Sequence, residues 1–259
     1  MDKPSVGIYG LTGCAGDQLA LLNCEDELLD IVGAVNLKSF PMAMTSNDEE
    51  GPLDIVFVEG GVVQAEDEQM LRKLRDRAKL LIALGTCAVW GGVQAMKNEI
   101  PREELNRQVY GSQGERFETI TAQPLSHFVK VDLALSGCPV EKGQLLQAVA
   151  ALLHGDLPRL PSYAVCTECK MAENPCVLIE AGRLCLGPIT VAGCNARCPS
   201  HNQPCIGCRG PVEEANVSSE IKVLKEKGFT SVDIRNRLCT FAGEADSLKI
   251  DSLKEASNA

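Results

Sequence analysis

Between Cys166 and Cys208 the chain places eight cysteines in 43 residues, with prolines at 175, 188, 199 and 204. No helical or alternating period survives there, so the stretch cannot stabilise itself by burying an apolar face and needs crosslinks or metal. The 259 residues hold 13 cysteines in all, an odd number that cannot all pair. Met1-Asp2-Lys3-Pro4-Ser5-Val6 leads directly into a strand-like run, without the basic region, twin arginine or apolar core of an export signal. Thiols in such numbers, in a chain read as cytoplasmic, are expected to hold metal and not a disulfide framework.

The spacing within the stretch is informative. C-x-x-C pairs occur at Cys166/Cys169 and Cys205/Cys208, with Cys176, Cys185, Cys194 and Cys198 single between them. Two thiolates separated by two residues grip a metal or cluster from one tight turn. Zinc ribbons share this spacing, so the pairs alone leave zinc and iron open. The stretch also lacks the consecutive ferredoxin run. Eight thiolates divide naturally into two sites of four.

Residues 1–155 have a different texture. Short β-branched or apolar runs alternate with helical patterns, the signature of a parallel sheet with crossover helices. Strands are expected at Val6–Gly10, Val32–Asn36, Asp54–Glu59, Leu80–Gly85 and Val129–Leu135, and helices at Gln18–Asp30, Ala65–Lys79 and Lys142–Leu153. The fold class is therefore α/β, with an irregular cysteine-rich domain over 156–259. In that domain Thr230-Ser231-Val232-Asp233 has capping-box character and leads a helix with Ile234, Leu238 and Phe241 on one face. From Ala245 the tail is polar and expected to fray or drape over a partner.

Three further cysteines follow predicted strands. Cys14 lies in Gly10-Leu11-Thr12-Gly13-Cys14-Ala15-Gly16-Asp17, Cys87 in Gly85-Thr86-Cys87-Ala88, and Cys138 in Ser136-Gly137-Cys138-Pro139. A parallel sheet brings all carboxyl ends to one edge, where ligands of open α/β folds bind, so the three thiols converge on one rim. A four-iron cluster needs a fourth ligand. Asp17 stands where a second cysteine would complete C-x-x-C with Cys14. It either binds there, as a harder ligand than thiolate, or caps the helix that it opens.

Composition excludes some classes. A net charge of −10 argues against a nucleic-acid partner, because phosphate neutralisation needs a basic face. No apolar run approaches the roughly 20 residues that span a bilayer.

Taken together, Val58-Glu59-Gly60, Gly85-Thr86-Cys87-Ala88, Gly137-Cys138-Pro139, Cys185-Leu186-Gly187-Pro188, Ala192-Gly193-Cys194-Asn195-Ala196-Arg197-Cys198-Pro199 and Cys205-Ile206-Gly207-Cys208-Arg209-Gly210 resemble the small subunit of nickel–iron hydrogenases. The cytoplasmic multi-subunit branch, with sulfhydrogenases and heterodisulfide-reductase-linked enzymes, is the one matched. The resemblance runs from Gly10 to about Gly210. It implies a flavodoxin-like first domain and three 4Fe–4S clusters. The proximal cluster would take Cys14, Cys87 and Cys138, with Asp17 where the family has a cysteine. The distal cluster would take Cys166, Cys169, Cys176 and Cys185, and the medial one Cys194, Cys198, Cys205 and Cys208. It implies a separate large subunit holding nickel and iron, and a further electron-accepting subunit of flavin and pyridine-nucleotide, ferredoxin-like or disulfide-reductase type. Related proximal-cluster subunits of respiratory NADH–quinone oxidoreductase lack the eight-cysteine segment. Other readings of the residues are an electron wire in a different oxidoreductase, a hydrogen sensor, or a zinc-stapled interaction module.

The remaining residues suit ordinary structural roles. Cys24 and Cys239 lie on apolar helical stripes and read as core thiols. His127, His154 and His201 match no ligand spacing, although His201 falls among the medial cysteines. Glu59 ends a strand on the rim and could serve as a loop carboxylate, a proton relay or a partner contact. Trp90 could shield the proximal site or simply pack.

Overall fold

The computed structural model describes residues 3–248 except residue 117, and leaves the side chains of residues 26 and 115 undescribed. The chain divides into two compact units, Met1–Pro158 and Arg159–Ala259. Among the described residues no helix is long and apolar enough to cross a membrane.

The first unit runs β1 (Ser5–Gly10), α1 (Gly16–Leu22), α2 (Asp26–Ala34), β2 (Asn36–Ser39), β3 (Leu53–Glu59), α3 (Ala65–Arg77), β4 (Ala78–Leu84), α4 (Gly85–Trp90), a 3₁₀ stretch (Gly92–Glu99), α5 (Arg102–Tyr110), β5 (Leu133–Leu135) and α6 (Lys142–Leu153). All pairings are parallel, in the order β2-β1-β3-β4-β5. This is the flavodoxin-like arrangement, with its switch of direction between β1 and β3.

Both faces of the sheet are covered, which is why its strands read as nearly continuous apolar runs. Val56, Val58, Leu81 and Ala83 pack with Leu71 and Leu74 of α3 in one core. Ile55 and Phe57, one residue out of phase, face the opposite way. With Val6, Ile8, Leu21, Val149 and Leu152 they line an apolar cavity of about 220 Å³.

Three elements depart from the periodicity. The strand expected at Val32–Asn36 is mostly helix: α2 continues to Ala34 and β2 begins at Asn36. Leu28, Ile31 and Val32 of α2 line the same cavity as Val35, which follows the helix, so one helix face turns to that cavity although Val32 is 45% exposed, and β-branched propensity does not decide the element. The single helix expected over Gln18–Asp30 is broken between α1 and α2, where Glu25 has φ 48°. Only Leu133–Leu135 of the expected Val129–Leu135 strand pairs, while Val129 and Val131 pack against the core from outside the ladder.

Among its described residues the second unit has no sheet, but it is less irregular than its sequence suggests. Short helices α7 (Val165–Met171) and α8 (Arg197–Ser200) lie within the cysteine-rich stretch, followed by α9 (Val217–Glu226) and α10 (Ser231–Ala242). Isolated bridges pair Ala164 with Val191 and Thr190 with Pro211, so three distant segments run side by side. Thr230 caps α10 in the expected capping box with Asp233. Ile234 and Leu238 are buried, and Phe241 is half-buried. Ala245 and Leu248 are buried too, so the expected loose tail does not begin at 245; its remainder lies outside the described residues.

Leu81→Ala, at a fully buried site, is expected to cost about 2–5 kcal/mol, against about 0.5–2 kcal/mol for loss of the cap in Thr230→Ala. Denaturant midpoints measure both. A smaller loss at Leu81 than at Thr230 would contradict the packing described for the sheet.

Candidate metal centres

The parallel ladder carries the loops after β1, β3, β4 and β5 to one edge, and backbone contacts lock them there. Gly60, at φ +92°, packs so closely beneath the Cys14 loop that a Cβ would lie 2.9 Å from Leu11 C and Thr12 O. Gly61 N–H donates to Thr12 O at 2.9 Å. Thr12 Oγ1 donates to Asp67 at 2.8 Å, tying the same loop to α3. The Cys87 and Cys138 loops are joined by Thr86 N–H to Gly137 O at 2.8 Å and by Gly137 N–H to Thr86 Oγ1 at 3.0 Å. Gln94 Nε2 donates to Thr12 O at 2.9 Å, and its side chain also bonds Cys87, linking the first and third of these loops.

Glu59 and Gln18 complete this base. Gln18 Nε2 donates to Glu59 Oε2 at 2.8 Å, and the Ala15 amide also bonds the Glu59 carboxylate. Burial pushes that carboxyl above its usual range. Of the roles open to it, Glu59 is seen here as a buried carboxylate pinning the Cys14 loop.

Asp17 is not the cap of its helix. The N-cap of α1 is Ala15, at φ 59°, and Asp17 lies inside the first turn, 4% exposed. Its Oδ1 instead accepts from Val140 N–H at 2.8 Å, two residues beyond Cys138. Its Oδ2 presses on Gly85, where a Cβ would fall 1.8 Å away. Burial is the main reason its carboxyl rises to about 6, with Glu59 adding to the effect and the Val140 amide opposing it. Cys87, itself pushed up mainly by burial, feels the charges of both Asp17 and Cys14. Asp17 therefore joins the Cys14, Cys87 and Cys138 segments.

In the second unit, burial pushes the Cys166 thiol up to about 12, and Cys185, Cys169 and Cys176 add to the rise. These four form one neighbourhood. Gly187 sits among them: a Cβ there would lie 3.1 Å from Cys166 Sγ and 3.6 Å from Cys185 Sγ. Cys205 N–H points at Cys185 Sγ from 3.2 Å. Glu220 on α9 is buried nearby, its charge felt by both Cys166 and Cys185, and desolvation raises its carboxyl to about 7.

Of the other four cysteines, Cys194 opens a turn, Cys198 lies in α8, and Cys205 and Cys208 follow along the chain. Cys205 is held above its ordinary value by burial, with Cys185 and Cys208 contributing. Cys194 is raised by burial and by Glu168, while the Arg197 and Ala196 amides and the Arg209 guanidinium pull it back. Arg209 is buried, its Nε donating to Ala192 O at 3.0 Å. Glu168, Glu220, Arg209 and Gln94 were not among the expected site residues. Only the position of Glu168 inside Cys166-Thr167-Glu168-Cys169 and of Arg209 beside Cys208 marked them in the sequence.

These features fit iron–sulfur clusters. Thiols raised by burial stay protonated until a cationic centre displaces the proton. Backbone amides aimed at the sulfurs of Cys87, Cys185, Cys194 and Cys205 are the donors that stabilise cluster thiolates. Gly187 leaves open the space that a side chain would take from the sulfurs. Among the described residues no three His, Cys, Asp or Glu side chains gather closely enough to hold a single metal ion.

The residues set aside from the sites behave as ordinary structural groups. Cys24 is fully buried and donates to Ala20 O at 3.5 Å, and Cys239 is half-buried in α10. His127 stacks edge-on with Phe128, and His154 Nδ1 lies 2.7 Å from Ala150 O. His201 is exposed after α8, and Trp90 is half-buried at the end of α4.

Residues 14–152 match the family of the NADH ubiquinone oxidoreductase 20 Kd subunit. The delta chain of sulfhydrogenase 2 of Pyrococcus furiosus is 40% identical over 237 residues, covering 92% of this chain and 98% of that protein. A subunit of the F420-non-reducing hydrogenase vhu of Methanocaldococcus jannaschii is 33% identical, covering 90% and 91%. Among solved structures, a chain of an NAD+-reducing [NiFe]-hydrogenase superposes with TM-score 0.55 at 28% identity, over 61% of this chain and 96% of its own. A chain of the [NiFeSe] hydrogenase of Desulfovibrio vulgaris Hildenborough shares the fold over 85% of this chain and 97% of its own, with TM-score 0.56 at 18% identity. With the rim and the cysteine-rich unit described above, these likenesses make the chain a member of the small-subunit family of nickel–iron hydrogenases, iron–sulfur proteins that transfer electrons for an enzyme acting on hydrogen.

Proposed function

We propose that this chain carries single electrons through three 4Fe–4S clusters, between the nickel–iron site of a separate large subunit and an electron-accepting subunit. One cluster would be held by Cys14, Cys87, Cys138 and Asp17. A second would be held by Cys166, Cys169, Cys176 and Cys185, and a third by Cys194, Cys198, Cys205 and Cys208. Bound there, the clusters accept and release electrons one at a time without making or breaking bonds to substrate.

The observation that carries this reading is the grouping of the thiols. Cys166 has Cys169, Cys176 and Cys185 as its charged neighbours, Cys87 has Cys14 with Asp17, and Cys205 has Cys208 together with Cys185, where the two sets of the second unit adjoin. The protein's own part is to hold sulfurs at fixed places, to present amides to them and to keep water away. These are the levers that set a cluster's potential.

The relatives support the partners. They are named as individual subunits of hydrogenases, so a separate catalytic chain is the natural companion. Their names differ in the acceptor they mention: one relative belongs to an NAD-reducing enzyme, whereas others belong to enzymes named as not reducing F420. A flavin and pyridine-nucleotide subunit, a ferredoxin-like subunit or a disulfide reductase each fits the accepting role.

Anaerobically isolated complex is expected to contain about twelve irons per copy of this chain beyond the iron of the large subunit. Stoichiometric zinc on iron and sulfide analysis would sink the proposal. Cys205→Ala is expected to cut hydrogen-dependent reduction of the physiological acceptor while sparing hydrogen–deuterium exchange at nickel, which needs no electron to leave. Equal loss of both in an assembled complex would contradict the wire.

Asp17 is proposed as the fourth ligand on two grounds: it is buried beside Cys87, and it does not cap its own helix. Carboxylate is harder and more exchangeable than thiolate. Asp17→Cys is therefore expected to keep a four-iron cluster that resists losing an iron on mild oxidation, and Asp17→Ala to favour a three-iron centre. Electron paramagnetic resonance of the reduced and mildly oxidised proteins reads both. Three indistinguishable signals for this cluster would mean that the carboxylate binds no iron.

A further inference from the structure

Glu168 belongs by sequence to one cysteine set and by contact to the other. It stands between Cys166 and Cys169 on α7, yet its carboxylate reaches the turn that carries Cys194. Oε1 accepts from Gly193 N–H at 2.8 Å, and Oε2 accepts from Ala196 N–H at 3.0 Å. Cys194 Sγ lies 3.9 Å from Oε2.

The turn it holds is strained. Gly193 has φ 114°, and the two residues after Cys194, Asn195 and Ala196, have φ 52° and 47°. Consecutive side-chain-bearing residues in the left-handed region persist only where their surroundings impose that conformation. Backbone N–H groups in such a turn form a concave nest suited to an anion. Here the anion is a side chain delivered from the other cysteine set. Ala196 is also the N-cap of α8, so the same bond sets the start of the helix that carries Cys198. Arg209, on the opposite side of the electrostatic balance, offsets at Cys194 the charge that Glu168 supplies.

We infer that Glu168 is a positioning residue for the cluster of Cys194, Cys198, Cys205 and Cys208. Its two amide bonds register the Cys166–Cys169 helix against the Cys194 turn, and its charge lowers that cluster's potential. This inference rests on the three-cluster reading. A carboxylate can accept from both amides at once. A glutamine has a single carbonyl oxygen, so its NH2 group must face one of the amide N–H groups, donor against donor. Alanine removes both acceptors.

The test uses the whole hydrogenase complex, prepared anaerobically and titrated with redox mediators under electron paramagnetic resonance. The signal that disappears in Cys205→Ala identifies the cluster in question. In Glu168→Ala that signal is expected to change shape, with part of its iron lost to a three-iron form, while the signal of the Cys166 set keeps its shape. In Glu168→Gln the iron is expected to remain and the midpoint to move upward, because a negative charge beside the cluster has gone. Thr167→Ala, in the same turn, is expected to match the wild type. If Glu168→Ala does not assemble, the midpoint in Glu168→Gln decides alone. A Cys205-dependent signal with wild-type shape and midpoint in the Glu168 variants overturns the inference, as does a change confined to the Cys166 set. A wild-type complex with no Cys205-dependent iron signal would overturn the three-cluster reading itself.

Discussion

A cysteine side chain is short, so its sulfur goes only where the backbone takes it. Every other feature of this chain answers to that constraint. In the first unit the parallel ladder does the placing. Strand pairing sets the ends of β1, β4 and β5 on one edge, and a few loop hydrogen bonds fix the remaining degrees of freedom. Gly60 matters because a Cβ would push the Cys14 loop away from β3, and Gly85 matters because Asp17 takes the space beside it. Among the described residues of the second unit there is no ladder. Isolated bridges, the turn at Gly193–Ala196 and the reach of Glu168 do the same work with fewer bonds.

Placement alone does not make an electron carrier; the surroundings must also suit the charge. Burial raises the thiols at Cys87, Cys166, Cys185, Cys194 and Cys205, each of which also receives backbone amides or lies beside like sulfurs. Low polarity strengthens whatever electrostatic partner remains, which gives individual charges a large influence. Glu220 beside Cys166 and Cys185, and the opposed Glu168 and Arg209 beside Cys194, are the charges positioned to exert it. Asp17, buried at the rim, adds its charge beside Cys87 and also holds the Val140 amide.

The elements that periodicity read well are those whose burial follows one simple geometry. β1, β3, β4, α3, α6 and α10 lie close to their expected positions because sheet faces and helix stripes repeat at fixed intervals. The strand expected at Val32–Asn36 is mostly helix because Ile31 and Val32 belong to α2, on the side that lines the apolar cavity. The helical turn at Val165–Met171 escaped detection because its apolar residues are too few to show a period, and the cysteines dominate its composition.

The sequence by itself marked which residues are candidates for binding metal. C-x-x-C spacing and cysteines placed just after strands are local facts, set by covalent distance along the chain. It also carried the order of β1, β3, β4 and β5, and hence the edge on which the loops of Cys14, Cys87 and Cys138 lie. Tertiary structure alone decided what each carboxylate does. Asp17 could cap a helix or face a distant loop, and folding gave it Val140, 123 residues away. Glu168 could have been a solvated helical acid, and folding gave it Gly193 and Ala196. Such partners are separated along the chain by distances that carry no periodic signal, and they meet only when packing brings their segments together.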